Sequence, residues 1–203
     1  AWWDYGYWIT TLSERTTLAD NATIDSIRIE NIAKTFLSSP DEGWKMLQGM
    51  DADYVVIFVS GEKLETENKE SLYMLGGGGD ESKKQWFMRI AGIDTSKYLY
   101  SDGISGNDHF WNDTLLGKMI PFTTLLYDDY QNNKQSKIYQ EGAIPIYVKD
   151  IKYSSDDGPL KLVHASPGFM EEKVGPMIGV FVYQINHNYV PHLSDLNENM
   201  INP

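Results

Sequence analysis

The run Tyr54-Val55-Val56-Ile57-Phe58-Val59 restricts the fold more than any other segment. Every residue in it is β-branched or aromatic, which favours an extended backbone. With no polar alternation it reads as a strand buried on both faces. Such a strand needs covering layers, and the flanking sequence offers helices. Residues 25–38 put Ile29, Ile32, Ala33, Phe36 and Leu37 on one stripe at helical spacing, with Asp25 or Ser26 as cap. Ser39-Pro40-Asp41-Glu42 opens a second helix, with proline at its first position and acids in its first turn, ending near Gly49. Residues 60–79 are polar, then Gly-rich, and read as a loop. A helix is expected over 80–91. Asn107 or Asp108 can cap another, running to about Ile120, with Phe110, Trp111, Leu115 and Met119 on its apolar side. After Lys134 the pattern changes to strands over 144–148, 160–164 and 178–185, separated by Gly, Pro and Asp turns. The expected fold class is mixed α/β. A helical and α/β central core over residues 1–134 is followed by a β-rich antiparallel section over 135–203, packed on the core as part of the same unit.

Charge narrows the partners. Lys plus Arg number 17 against 29 Asp plus Glu, a net charge of −12. A nucleic-acid binder needs the opposite sign, so neither nucleic acid nor an anionic membrane surface is an expected partner. The chain has no cysteine, which excludes disulfides, thiolate metal sites and a Cys nucleophile. Its longest apolar run, 54–59, is far short of the ~20 residues of a membrane-spanning helix. No basic segment followed by an apolar one marks a signal peptide. The chain opens on Ala1 and then Trp2-Trp3-Asp4-Tyr5-Gly6-Tyr7-Trp8, so three of its six Trp fall in the first eight residues. Such a start is expected of a domain cut or processed from a longer protein. Because Trp and Tyr gather at the water–lipid boundary, a transmembrane helix is expected upstream. A buried N-terminal strand is the plain alternative.

Several constellations can carry chemistry. Trp2 and Trp3 offer apolar walls with N–H donors, and Asp4 an acceptor. Together they can grip a small group such as a hydroxyl bearing a methyl, or they are core aromatics beside a solvated acid. Gly76-Gly77-Gly78-Gly79 is not a phosphate loop, because no Gly-Lys-Ser/Thr follows. It reads as a flexible lead into Asp80 as helix cap. Asp80, Lys83 and Phe87 then fall on one helical face, either an ordinary surface edge or a half-pocket where Lys83 donates and Phe87 packs on a methyl. Asp102, Asn107, Asp108 and Asp113 can ligate calcium, but they lack EF-hand spacing and suit caps and turns better. Asp128-Asp129 and Glu171-Glu172 cannot both point inward as a glycosidase pair must. His109, His164, His187 and His192 show no dense metal-ligand spacing. Asn21-Ala22-Thr23 and Asn112-Asp113-Thr114 have the form of glycosylation sequons.

Read together, these segments resemble the oligosaccharyltransferase catalytic subunit. Trp2-Trp3-Asp4-Tyr5-Gly6 is identical to that family's WWDYG signature. Arg15-Thr16-Thr17-Leu18-Ala19-Asp20-Asn21 resembles its R-T-T-L-x-D-N stretch, Ser39-Pro40-Asp41-Glu42 its S-P-E-E helix start, and Asp53-Tyr54-Val55-Val56 its D-Y-V-L strand. The segment from Asp80 through Lys83 to Arg89-Ile90 resembles its D-x-x-K-x-x-x-M helix, and Leu115-Leu116-Gly117-Lys118-Met119 its L-L-x-K-M segment. The matches run in order from residue 2 to about 122, and the archaeal (AglB) branch looks closest. One departure matters: the family's Met is Phe87 here, and Met88, one residue on, points about 100° away on a helix. Either Phe87 takes the methyl contact or a helix irregularity brings Met88 round.

The resemblance implies a specific role. The family transfers an oligosaccharide from a dolichol-linked donor to the Asn of N-x-Ser/Thr. This chain resembles its soluble C-terminal globular domain, which is inactive alone. Trp2, Trp3 and Asp4 carry over as the residues binding the +2 Ser/Thr hydroxyl, Lys83 and Phe87 as the wall of the second motif, and Tyr5, Gly6 and Asp80 as support. Catalytic acids and a divalent metal (Mn or Mg) belong to the membrane part, with no metal or catalytic residue in this fragment. The domain is expected on the extracytoplasmic face of the cell membrane. Two rivals have no such parent: a stand-alone carbohydrate- or peptide-binding module, since aromatics with acids suit sugar stacking, and a glycosidase, for which no carboxylate dyad stands out.

Overall fold

The computed structural model describes residues 1–65, 71–75, 78–120, 125–129, 134–138, 146–148, 157–167 and 174–191. Gly76-Gly77, Ile144-Pro145, Glu171-Glu172 and His192 lie outside them.

The fold is mixed helix and strand. A 3-10 turn at Trp3–Tyr5 runs into α1 (Gly6–Ser13), followed by α2 (Ser26–Leu37) and α3 (Pro40–Gly49). β1 (Tyr54–Glu65) and β2 (Ser71–Leu75) form a hairpin. A 3-10 turn at Asp80–Lys83 leads into α4 (Lys84–Ala91), and a third at Thr95–Lys97 precedes α5 (Asp108–Asp113) and α6 (Leu115–Met119). β3 (Leu125–Asp129) pairs with β4 (Lys134–Ile138) as a separate ribbon. β5 (Ile146–Val148), β6 (Leu160–Ala165) and β7 (Gly175–Ile185) join the first hairpin in one antiparallel sheet of order β5-β2-β1-β7-β6. β1 is thus the middle strand, paired with β7 from Tyr54 to Lys63.

Helix ends follow the sequence signals. Asp25 accepts the N–H of Arg28 to cap α2, and Ser39 accepts that of Glu42 to cap α3, leaving Pro40 at the first helical position where its missing N–H costs nothing. The stripe of Ile29, Ile32, Ala33, Phe36 and Leu37 is buried in one cluster with the sheet's apolar face, and α2 packs against α4. From the sheet come Val55, Ile57 and Val59 of β1 and Phe181, Tyr183 and Ile185 of β7; α5 and α6 add Phe110, Trp111, Leu115, Leu116 and Met119. The Tyr183 hydroxyl donates to the Met119 carbonyl at 2.9 Å, tying sheet to helices. Among the described residues no helix is long and apolar enough to cross a membrane.

Four expectations are corrected. β1 is buried on one face only: Val55, Ile57 and Val59 are sequestered, while Tyr54 is exposed and Val56 and Phe58 are half-buried. The reason is layering, since the helices cover one side of an antiparallel sheet. Within the expected loop 60–79, residues 60–65 and 71–75 are strand, because β1 runs to Glu65 and β2 pairs back on it from Gly61; β7, over a hundred residues away, holds the polar end of β1 extended. The expected helix to Ile120 is two helices broken at Thr114. Its hydroxyl donates to the Phe110 carbonyl at 2.7 Å and accepts the Gly117 N–H at 3.0 Å, ending α5 and capping α6. Asp80 caps no helix: Gly79 holds that position, and the Asp80 carboxylate is engaged elsewhere.

Candidate functional site

The site forms where the N-terminal turn meets the free part of β1's edge. β2 pairs with β1 only from Gly61 onward. Before that point the Phe58 N–H donates at 2.8 Å to Oδ2 of Asp80. The chain at Gly79 lies close against this edge; a Cβ there would come within 2.9 Å of the Phe58 carbonyl and 2.2 Å of Glu81 Oε2, so only glycine fits.

Asp80 is the hub. Its side chain is fully buried, and Oδ1 accepts the Tyr5 hydroxyl at 3.0 Å and lies 3.3 Å from Lys83 Nζ. Burial pushes its carboxyl above the usual range, opposed by Lys83, the Phe58 N–H and the Tyr5 hydroxyl. Asp80 and Lys83 meet because the first turn is 3-10, where residues three apart eclipse. Lys83 Nζ donates to the Tyr5 hydroxyl oxygen at 2.7 Å and to Asp4 Oδ2 at 2.7 Å, and sits 4.4 Å from the Tyr5 ring centre. Burial raises the Tyr5 phenol, helped by the charges of Asp80 and Asp4, so Tyr5 stays a donor. The ion pair opens to solvent, with Lys83 and Asp4 side chains 22% and 31% exposed. Asp4 Oδ1, in contrast, is shielded and has no hydrogen-bond partner among the described residues.

The aromatic half lies behind. Trp2 is 3% exposed, with its ring tilted against Trp3 at 6.3 Å and edge-on to Phe87 at 4.4 Å. Phe87 stacks on Phe36 at 5.4 Å. Phe87 and Met88 are both fully buried, so Phe87 supports Trp2 from within instead of facing solvent beside Lys83. The structure therefore brings Asp4, Tyr5, Asp80 and Lys83 together in one polar network. Trp2 and Phe87 stand in the core beneath, and Trp3 lies partly buried next to Trp2. Tyr5, named only as support, is central: it bonds both charged partners. Three of the residues weighed as calcium ligands have local roles; Asp102 accepts the N–H groups of Ile104 and Ser105, Asn107 caps α5, and Asp113 pairs with His109 at 2.6 Å.

Glu81 and Lys84, the residues flanking Asp80 and Lys83, escaped sequence reasoning because neither looks special in the motif. Both are 1% exposed. Among the described residues neither Glu81 carboxylate oxygen has a well-aligned hydrogen-bond partner, while Lys84 Nζ donates to the Glu81 carbonyl at 3.1 Å and lies 5.9 Å from the Phe110 ring centre. Burial pushes the Glu81 carboxyl up to about 7, and Asp80 adds to this; Lys84 and nearby backbone amides oppose it. Burial pulls the Lys84 ammonium down to about 8 against the charges of Glu81 and Asp102. Between about pH 4.5 and 7 the folded chain holds a proton on Glu81 that the unfolded chain releases, so stability from this group falls as pH rises. The shift corresponds to roughly 3 kcal/mol across that window. Glu81→Gln is expected to flatten this decline, which urea unfolding at pH 4.5, 6 and 8 measures; an unchanged pH slope contradicts it.

No family model matches the chain. Over 92 residues, 45% of the chain, it is 35% identical to the dolichyl-diphosphooligosaccharide–protein glycosyltransferase subunit STT3 of Saccharomyces cerevisiae. It is 30% identical over 93 residues to STT3 of Dictyostelium discoideum and 31% identical over 93 residues to STT3B of Oryza sativa subsp. japonica. Each match covers 11% of the relative, so the chain spans about a tenth of the length of the curated relatives it matches. Over 45% of its length, then, this chain is homologous to glycosyltransferase subunits of the STT3 type.

Proposed function

We propose that this chain is the acceptor-recognition domain of an archaeal-type oligosaccharyltransferase catalytic subunit. In this reading the whole enzyme transfers a dolichol-linked oligosaccharide to the Asn of N-x-Ser/Thr, and this domain, on the extracytoplasmic face of the membrane, binds the +2 Ser/Thr. The observation that carries the reading is Asp4. Lys83 engages Oδ2, while Oδ1 is shielded and unpaired among the described residues. An ionised carboxylate only accepts hydrogen bonds and the Asp4 side chain is 31% exposed beside Lys83, so the site suits a small donor such as a side-chain hydroxyl, which reaches Oδ1 once the cover over it opens. The similarity to STT3 subunits and the WWDYG string support the same reading. Catalytic acids, donor site and divalent metal (Mn or Mg) are assigned to the rest of the enzyme, so this domain selects the acceptor and the chemistry lies elsewhere.

The test is a series of peptides Asn-Ala-Thr, Asn-Ala-Ser and Asn-Ala-Val given to the whole transferase containing this chain. A site that hydrogen-bonds a hydroxyl strongly rejects an analogue lacking it. Thr and Ser peptides are expected to be glycosylated, with the Val peptide below one-hundredth of the Thr rate. A Val peptide within tenfold of Thr overturns the proposal. Binding of free glycans with indifference to the +2 hydroxyl points instead to a carbohydrate-binding module.

A further inference from the structure

The WWDYG turn is held from outside by a loop that the network around Asp80 does not include. Gly6 lies so close to this loop that a Cβ would fall 2.4 Å from the Ala19 carbonyl and 2.5 Å from the Asp20 Cα. The next loop residue, Asn21, spans the contact. Its Nδ2 donates to the Asp4 carbonyl at 3.0 Å, and its Oδ1 accepts the Tyr7 N–H at 3.3 Å. One side-chain amide therefore ties both ends of residues 4–7, where the 3-10 turn passes into α1.

That stretch lacks a cap of its own. The first N–H groups of a helix have no partner within it, and the residue at the cap position, Tyr5, makes no side-chain capping bond, its side chain being no short polar acceptor of the Ser, Thr, Asp or Asn kind. Asn21 supplies the missing acceptor from another part of the chain. The loop presenting it is itself braced: Asp20 Oδ1 accepts the Ala22 N–H at 2.9 Å, and the Asp20 carbonyl accepts that of Thr23 at 3.1 Å.

The other bond, to the Asp4 carbonyl, has a functional consequence. Orientation of the Asp4 peptide sets the direction of its Cα–Cβ bond, hence where the carboxylate points. Turning that peptide by a few tens of degrees moves the carboxylate oxygens by about an ångström, enough to break a 2.7 Å contact with Lys83 and to re-aim the unpaired Oδ1. We infer that Asn21 is a positioning residue for acceptor binding, acting through the Asp4 backbone. This rests on the function proposed above and names a residue that does not itself touch the acceptor.

Asn21 also heads the triplet Asn21-Ala22-Thr23, so its side chain has to be separated from the sequon. The experiment uses the whole transferase with Asn21→Ala, Asn21→Asp, Thr23→Ala and Asp4→Ala, reading kcat and KM for an Asn-Ala-Thr peptide together with Tm. Asn21→Ala is expected to raise KM about tenfold with kcat within twofold and Tm within about 2 °C. Asn21→Asp keeps the acceptor for Tyr7 but turns a carboxylate toward the Asp4 carbonyl, and is expected to raise KM at least as far. Thr23→Ala destroys the sequon, keeps the amide and is expected to match the parent enzyme. The inference is overturned if Asn21→Ala leaves KM unchanged while Asp4→Ala abolishes activity, an outcome that leaves the proposed function standing. It is equally overturned if Thr23→Ala reproduces the Asn21→Ala defect, or if that defect merely follows loss of folded protein. Normal activity with Asp4→Ala removes the underlying reading itself.

Discussion

Asp4→Ala is expected to cut glycosylation of a sequon peptide by the whole transferase about a hundredfold while leaving Tm within about 2 °C. The substitution removes both acceptor oxygens, including the unpaired Oδ1. A hydrogen bond to a charged group contributes ~1.5–3 kcal/mol, and ~2.7 kcal/mol is a hundredfold in rate or affinity. The fold is expected to tolerate the change because the lysine it leaves behind is not stranded. Lys83 keeps the Tyr5 hydroxyl at 2.7 Å and Asp80 at 3.3 Å, and it is partly open to water. Asp4→Asn preserves shape but has only one acceptor oxygen for both Lys83 and the ligand, so an intermediate loss is expected. Initial rates with saturating and limiting peptide measure both variants. Activity within threefold of the parent for Asp4→Ala contradicts the assignment.

Phe87→Ala is expected to lower stability by about 3–5 kcal/mol, the usual cost of removing a buried aromatic ring. The Phe87 ring is fully enclosed, stacked on Phe36 and edge-on to Trp2. Aromatic pairs add ~0.5–1.5 kcal/mol beyond area burial, so two broken contacts put the cost toward the upper end. The expected drop in Tm is roughly 10 °C or more for a domain of this size. Phe87→Met nearly conserves volume and is expected to lose less than about 1.5 kcal/mol. Equal stabilities for the Ala variant and the parent in thermal unfolding contradict the core role and leave room for a ligand-facing ring.

These two residues show how far the sequence reaches. The stripe of α2 and the caps Asp25 and Ser39 were legible, because helix periodicity and capping are local. The edge of β1 and its partner β2 were not. The polar residues beyond Ser60 are held extended by β7, and no local pattern reports a pairing across that distance. Asp80 and Lys83 could be picked out by spacing. The fate of Asp80 could not, since its partners Tyr5 and Phe58 arrive from other parts of the chain. The helical face expected to carry Lys83 and Phe87 together splits because the first turn is 3-10; Lys83 faces the opening and Phe87 the core. Asn21 had a visible signal, its place at the end of Leu18-Ala19-Asp20, but there it read as a sequon with no tie to Asp4.

The two oxygens of Asp80 have separate employers. One takes the backbone of the sheet's middle strand at Phe58; the other takes Tyr5, with Lys83 close by. A single carboxylate thus acts as a rivet between the WWDYG turn and the middle strand of the sheet. A load applied at Asp4 passes through Lys83 and Asp80 into the strand instead of being absorbed by bending of the N-terminal segment. The turn, though it lies at the end of the sequence, has the mechanical character of the sheet.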